Sequence, residues 1–389
     1  MHFDFAQRFE GMSGSAIRAI FALLKDPEII SFGGGNPAGE AFPGEELSEI
    51  AERLLKNNFA SVLQYGQTEG YLPLREQIAE EYGVVTDMVQ ITVGAQQAID
   101  LVAKAMLNKG DCILVENPTF LGALQTFKLY QPKIKAVETD ENGIIIEDLE
   151  EKIKQHKPKL LYIIPNFQNP TGITTSLERR KAISEIAQKY NLLIIEDDPY
   201  GKLRYEGDAV ESIFEINKSG NVIYLTSFSK TISPGLRIGA AIGDKELIAK
   251  MVVGAQGQTV HPPVLNQAMI YEYVKSGAYL PHIEAMCKLY KSRRNTMLAE
   301  LEKGMPKGVS HTNPQGGLFL WCSLPEGVNA TELFKKAVES KVAFVPGDTF
   351  YCENVRTNKL RLNFSFTDEE KIKKGISTLA KVTEEFIGR

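Results

Sequence analysis

At 389 residues and 43.2 kDa, with 43% apolar and 24% charged residues, the chain is long enough for one large domain and a smaller companion. A formal net charge of −5 supplies no general attraction for phosphate backbones or anionic lipid, so neither nucleic acid nor a membrane is an expected partner. Cys112, Cys287, Cys322 and Cys352 lie far apart without a Cys-x-x-Cys pair, and the five histidines show no ligand spacing, so no metal site is expected.

The N-terminal stretch Met1–Glu10 carries charges throughout and lacks a continuous apolar core, which argues against a signal peptide or a span and for a cytoplasmic protein. Residues Ser13–Leu24 have helical apolar spacing, Glu28–Phe32 is a short apolar run, and Glu45–Leu55 again reads as helix. From there the pattern becomes regular. Short, mostly β-branched runs at Val89–Val93, Cys112–Val115, Ile134–Val137, Leu160–Ile164, Leu192–Ile195, Val222–Leu225 and Ile238–Ile242 read as seven buried strands. Helical stretches at Ala95–Leu107, Phe120–Leu129, Leu177–Tyr190 and Lys245–Gly254 fall between many of them, which predicts an α/β fold on a mainly parallel sheet. Beyond about residue 280 a charged helix, His282–Leu301, leads into strands at Gly317–Ser323, Lys341–Val345 and Lys359–Phe364. Helices at Thr331–Ser340 and Asp368–Phe386 complete a smaller α+β domain. The expected division is an N-terminal arm over residues 1–45, a large domain over 46–280 and a small C-terminal domain over 281–389.

The chemistry gathers around one lysine. Lys230 lies in Ser227-Phe-Ser-Lys-Thr-Ile-Ser-Pro-Gly-Leu-Arg237, just after an apolar strand, so hydroxyls, an amine and a guanidinium share one turn. Such a turn can hold a phosphorylated aldehyde and form an imine with it, which points to pyridoxal 5'-phosphate. Asp197 ends the strand Asn191–Asp197, where open α/β sheets place their ligands, and a carboxylate there can keep a pyridine nitrogen protonated. An aspartate ending a strand also serves as a cap. Tyr200 follows three residues on and can donate to a phenolic oxygen. Gly94-Ala95-Gln96-Gln97 opens a helix after a strand, so free backbone N–H groups there can bind a phosphate. Asn169-Pro-Thr-Gly172 supplies an asparagine on a tight turn, and Phe120 begins a helix where its ring can stack or join the core. Arg361, on the alternating strand Lys359–Phe364, can clamp a carboxylate with two hydrogen bonds.

In combination these motifs, with Tyr65-Gly-Gln-Thr-Glu-Gly70 and Phe32-Gly-Gly-Gly-Asn-Pro-Ala38, resemble those of the class I/II aminotransferases, pyridoxal-phosphate enzymes of fold type I, over nearly the whole chain. The resemblance implies Lys230 as the imine-forming lysine, Asp197 as the pyridinium partner, and Asn169 and Tyr200 as partners of the phenolic oxygen. It implies Gly94, Ala95, Gln96, Ser227, Ser229 and Arg237 around the phosphate, Phe120 stacking on the ring, and Arg361 on the substrate's α-carboxylate. A homodimer is implied too, with Tyr65 reaching the phosphate of the neighbouring subunit. Ser15-Ala-Ile-Arg18 and Gly34-Gly35-Asn-Pro-Ala look most like the group of aminoadipate, kynurenine and aromatic aminotransferases, where an N-terminal helix can cover the substrate. The residue after the paired glycines is usually apolar there; here it is Asn36.

The expected reaction is ping-pong transfer of an amino group from an L-amino acid to a 2-oxo acid, glutamate and 2-oxoglutarate forming one pair. Gly35 borders the substrate, and Arg18 either meets a distal carboxylate or is a solvated arginine on an amphipathic helix. The same lysine and aspartate also serve β-eliminating lyases and decarboxylases. A nicotinamide enzyme is disfavoured because Gly33–Ala38 opens no helix and no strand-ending acid follows about twenty residues on. A pyridoxal-phosphate-binding regulator would need a DNA-reading domain, for which the chain leaves no room before the aminotransferase-like region.

Overall fold

The computed structural model describes residues 3–10, 12, 26–217, 219–353 and 355–388. The helix expected over Ser13–Leu24, with Arg18, therefore lies outside the described residues. In chain order the strands are β1 (Ile30–Ser31), β2 (Val89–Thr92), β3 (Cys112–Asn117), β4 (Lys133–Asp140), β5 (Gly143–Ile144), β6 (Leu160–Ile163) and β7 (Leu193–Asp198). They continue with β8 (Val222–Ser227), β9 (Gly239–Ile242), β10 (Ser310–His311), β11 (Phe319–Ser323), β12 (Val342–Ala343), β13 (Val345–Pro346) and β14 (Lys359–Asn363).

The central sheet has the order β2-β9-β8-β7-β6-β3-β4-β5. Pairings among β4, β3, β6, β7 and β8 are parallel, whereas β9 runs antiparallel to both neighbours and β5 is antiparallel to β4. All seven predicted strands are present; the eighth, β5, is a two-residue edge strand too short to carry a period. Because β9 runs against the rest, the carboxyl ends of β2, β3, β6, β7 and β8 share one edge of the sheet with the start of β9. Every loop carrying a predicted site motif in this part of the chain leaves from that edge.

The strands form because their side chains are buried on both faces. Tyr162, Ile164, Ile195, Ile223 and Leu225 join one core with the helix Gly94–Met106, while Leu161, Ile163, Ile194 and Val222 join another with the helix Leu177–Tyr190. Burying each such side chain contributes about 1.5–3 kcal/mol against conformational entropy. The helix Leu177–Tyr190 starts with Ser176 accepting from the Arg179 N–H and ends with Asn191 in the left-handed region, so capping residues set the bounds that periodicity predicts. Phe120 is the cap of the helix Leu121–Lys128 rather than its first turn. Among the described residues, three helices of ten residues or more appear that the apolar spacing did not announce, Leu72–Glu81, Ile146–His156 and Val264–Lys275, together with the single turns Phe59–Val62 and Ile213–Ile216.

A second sheet, β10-β11-β14-β13, is antiparallel. The strand expected over Lys341–Val345 divides in two, because β12 pairs with β1 whereas β13 pairs with β14. Phe32 continues the link, its N–H donating to the Ala343 carbonyl at 2.7 Å and its carbonyl accepting from Asn363 at 2.8 Å. The stretch Ile30–Phe32 is thereby fixed to the C-terminal elements, and Gly33 and Gly35 are carried towards Arg361.

Candidate active site

At the shared strand edge, a cavity of about 290 Å³ is lined by Lys230, Asp197, Tyr200, Asn169, Phe120, Ala95, Gln96, Ser227, Ser229, Arg237, Gly35 and Arg361. Twelve sequence-predicted residues, spread over more than three hundred positions, are thus brought to one place. Gly94 does not line the cavity but shapes it. Tyr65 is not on it; its ring is 82% exposed and meets the His261 ring edge-on at 5.8 Å. A larger cleft of about 810 Å³ between Lys135 and Lys359 contains none of these residues.

On the floor, Asp197 is 2% exposed. Its Oδ2 accepts from the Tyr162 hydroxyl at 2.6 Å, while its Oδ1 is buried without a hydrogen-bond partner. A buried carboxylate oxygen with nothing to accept is costly unless a donor arrives, and the cavity is the side from which one can come. Burial pushes the Asp197 carboxyl up to about 7, against the Tyr162 hydrogen bond and with Asp198 adding to the rise. Such an oxygen fits a protonated pyridine nitrogen.

Opposite, the Lys230 amine donates to the Gly35 carbonyl at 2.7 Å. Burial pulls its pKa down to about 8, helped first by Arg361 and then by Arg237. Arg237 shares the lysine's own turn, whereas Arg361 reaches it from β14 of the second sheet.

One end of the cavity is suited to an anion. Gly94, Ala95 and Gln96 are the first residues of the helix Gly94–Met106, so their N–H groups have no intrahelical partner and the helix dipole favours negative charge there. Arg237, in the left-handed region at φ 56, reaches the Ser229 hydroxyl at 3.4 Å and the Val93 carbonyl at 3.1 Å. Gly94 has φ +70, and a Cβ there would stand 2.7 Å from the Arg237 Nη2. The Gln96 side chain is turned away, donating to the Gly122 carbonyl at 2.9 Å and to the Thr126 hydroxyl, which leaves only its backbone for a ligand. Gly122 also lets the Phe120 ring fold over, since a Cβ would meet that ring at 2.5 Å.

Arg361 is 2% exposed, with its guanidinium 4.2 Å from the centre of the Phe319 ring and 5.1 Å from that of Phe350. It donates to the Asn169 Oδ1 and the Gly33 carbonyl, both at 2.8 Å, and its Nε is buried without a partner. Burial lowers its pKa to about 10, so it stays cationic at neutral pH and suits a carboxylate. Burial raises the Tyr200 phenol, and its ring meets Phe319 edge-on at 5.8 Å.

Tyr162, Phe319 and Gly33 were missed by the sequence reading. Tyr162 carried a signal: it is the one hydroxyl in its strand, and the register Tyr162↔Ile195 puts it on the same face as Asp197. Phe319 had none, because only the pairing of β11 with β14 brings it beside Arg361. Among the described residues no cluster of three or more His, Cys, Asp or Glu can hold a metal, and no helix is long and apolar enough to cross a membrane.

Residues 27–379 match the family Aminotransferase class I and II. The aromatic-amino-acid aminotransferase 1 of Thermococcus litoralis is 41% identical over 98% of this chain and 94% of that protein. The 2-aminoadipate transaminase of Thermus thermophilus is also 41% identical, over 95% of this chain and 94% of that protein. The crystal structure of the α-aminoadipate aminotransferase of Thermus thermophilus, complexed with N-(5'-phosphopyridoxyl)-L-leucine, superposes with a TM-score of 0.94 at 40% identity. It covers 99% of this chain and 98% of its own. With an uncapped helix start beside it, and an unpartnered aspartate oxygen and a lysine of lowered pKa on one cavity, the chain belongs to the class I and II aminotransferases and is a pyridoxal-phosphate-dependent transaminase.

Proposed function

We propose that this cavity carries out ping-pong transamination between L-amino acids and 2-oxo acids, with glutamate and 2-oxoglutarate as one pair. The observation that carries the reading is the placing of a lysine amine and an unpartnered buried carboxylate oxygen on one small cavity. When bound, pyridoxal 5'-phosphate supplies an aldehyde for an amine and a ring that takes up the electron pair left at the substrate's α-carbon.

Lys230 would hold the cofactor through its side-chain amine, which lies on the cavity. Its Nζ would also be the base that accepts the substrate's α-proton. A base must be neutral, and a pKa of about 8 leaves a usable neutral fraction near pH 7. Asp197 would accept from the ring nitrogen through its unpartnered Oδ1, Asn169 and Tyr200 would hold the phenolic oxygen, and Phe120 would cover the ring. The N–H groups of Gly94, Ala95 and Gln96, with Ser227, Ser229 and Arg237, would hold the phosphate. Arg361 orients the substrate through its α-carboxylate, and Gly35 borders the same space. Arg18 is assigned to a distal carboxylate of donors such as glutamate or 2-aminoadipate.

The segment that carries Tyr65 also exposes Leu55, Phe59 and Leu63. That patch supports a homodimer in which Tyr65 reaches the neighbouring phosphate. The fixing of Ile30–Phe32 to the C-terminal sheet supports an arm over residues 1–45 that serves a small domain over 281–389, beside a large domain over 46–280. Four free cysteines suit the reducing cytoplasm.

Mixing single amino acids with the cofactor-loaded protein tests the reading. Loss of the aldehyde-form absorbance with release of a 2-oxo acid is expected, most strongly for acidic donors; ammonia released without any acceptor contradicts it. Replacing Arg18 with alanine is expected to weaken acidic donors relative to aromatic ones, and an unchanged ratio removes that assignment.

A further inference from the structure

The Tyr162 hydroxyl donates to Oδ2 of the Asp197 carboxylate at 2.6 Å, and the other oxygen, Oδ1, is buried without a partner. Tyr162 is fully buried on β6, and its ring is braced edge-on by Phe127 at 5.6 Å. Burial, with the charge of Asp197, holds the phenol well above its ordinary pKa, so it remains a donor. Asp198 also acts on Asp197, and Glu116 and Tyr200 act on Tyr162; the hydroxyl lowers the proton affinity of Asp197, while burial and Asp198 raise it.

We propose that Tyr162 is a positioning residue that decides where the proton between Asp197 and the cofactor's ring nitrogen resides. This rests on the role given above to Asp197. With the hydroxyl in place, Oδ2 is held, Oδ1 is aimed at the cavity and the carboxylate is a weak enough base to leave the proton on nitrogen. Without it, Oδ2 loses its partner in a buried site, the carboxylate becomes a stronger base and the proton passes from nitrogen to Oδ1. No other bond changes.

The test is nitrogen-15 resonance of ring-labelled pyridoxal 5'-phosphate bound to the wild-type protein and to Tyr162→Phe. Phenylalanine keeps the ring that packs against Phe127. The wild-type signal is expected at the protonated position and the variant's towards the unprotonated one. The kcat should fall about tenfold, the size of effect seen when an orienting partner is removed, with the donor's KM unchanged. In an Asp197→Asn background the same replacement is expected to move neither quantity further. An unshifted resonance and unchanged kcat in the cofactor-bound variant overturn the proposal. So does an equal further loss in the Asp197→Asn background, which would place the hydroxyl's action elsewhere. A wild-type protein that shows no bound signal at all contradicts the cofactor-binding role of the cavity itself.

Discussion

Two consecutive aspartates end β7, and the sheet turns them to opposite faces. Asp198, 8% exposed, is fully engaged, accepting from Asn166 at 2.9 Å, the Tyr224 hydroxyl at 2.8 Å and the Gly201 N–H at 2.8 Å. Asp197, 2% exposed, has one partner and one orphan oxygen. The same side chain at adjacent positions is therefore structural on one face and, in our reading, reserved for a ligand on the other. Burial alone does not mark a site; unsatisfied burial facing a cavity does.

The contrast is broken most severely on the cavity face. Lys230→Ala removes the proposed base and is expected to cut steady-state turnover on the order of 10⁴-fold while leaving thermal unfolding near that of the wild type. Sustained turnover in that variant removes Lys230 from its role.

Asp197→Asn is expected to lower kcat about 10²- to 10³-fold, by analogy with the loss of a key electrostatic group. Its effect on the cofactor-free protein should have the opposite sign. A carboxyl whose pKa rises from 3.8 unfolded to about 7 folded binds more protons in the native state between those values. Its burial therefore costs nothing below about pH 4, and the cost grows to its full size above about pH 7. At three units the penalty is on the order of 4 kcal/mol, so the asparagine variant should gain in melting temperature over the wild type at pH 8 and gain little at pH 4. A gain independent of pH contradicts the assignment.

Asp198→Ala sharpens the comparison from the other side. Stripping the acceptor from buried Asn166 and Tyr224 is expected to cost about 3 kcal/mol in denaturant unfolding, with kcat per cofactor-loaded molecule close to the wild type. A large kcat loss without destabilisation would erase the distinction between the faces.

A smaller effect is expected at Gly94→Ala. The strain of φ +70 and the approach to Arg237 should weaken cofactor affinity roughly tenfold, a little over 1 kcal/mol, with little change in kcat at saturation. Unchanged affinity, measured by titration of the cofactor-free protein, contradicts a phosphate site at this helix start.

Much of this arrangement was legible in the chain because local rules produced it. Asp197, Asn169 and Lys230 follow apolar strand runs, and β-branched runs announce strand ends even where bounds drift by a residue or two. The residues around Arg361 were not legible. Phe319 and Gly33 come beside it through the pairing of β11 with β14 and the docking of Ile30–Phe32, and spacing cannot report pairing between distant segments. The helix Val264–Lys275 also escaped: Val264, Gln267, Ala268, Ile270 and Tyr273 are buried on a surface too wide to leave a clean apolar stripe. Leu72–Glu81 buries Arg75 beside Leu74 and Ile78, with Arg75 donating to the Val89 and Thr86 carbonyls, so a charge sits where a stripe would need an apolar residue.

The most direct measurement is borohydride reduction of the cofactor-loaded protein followed by peptide mass analysis. The phosphopyridoxyl group is predicted on the peptide containing Lys230, with loss of activity in proportion to its incorporation. Modification at another lysine, or a yellow protein whose position 230 gains no mass, would contradict the account.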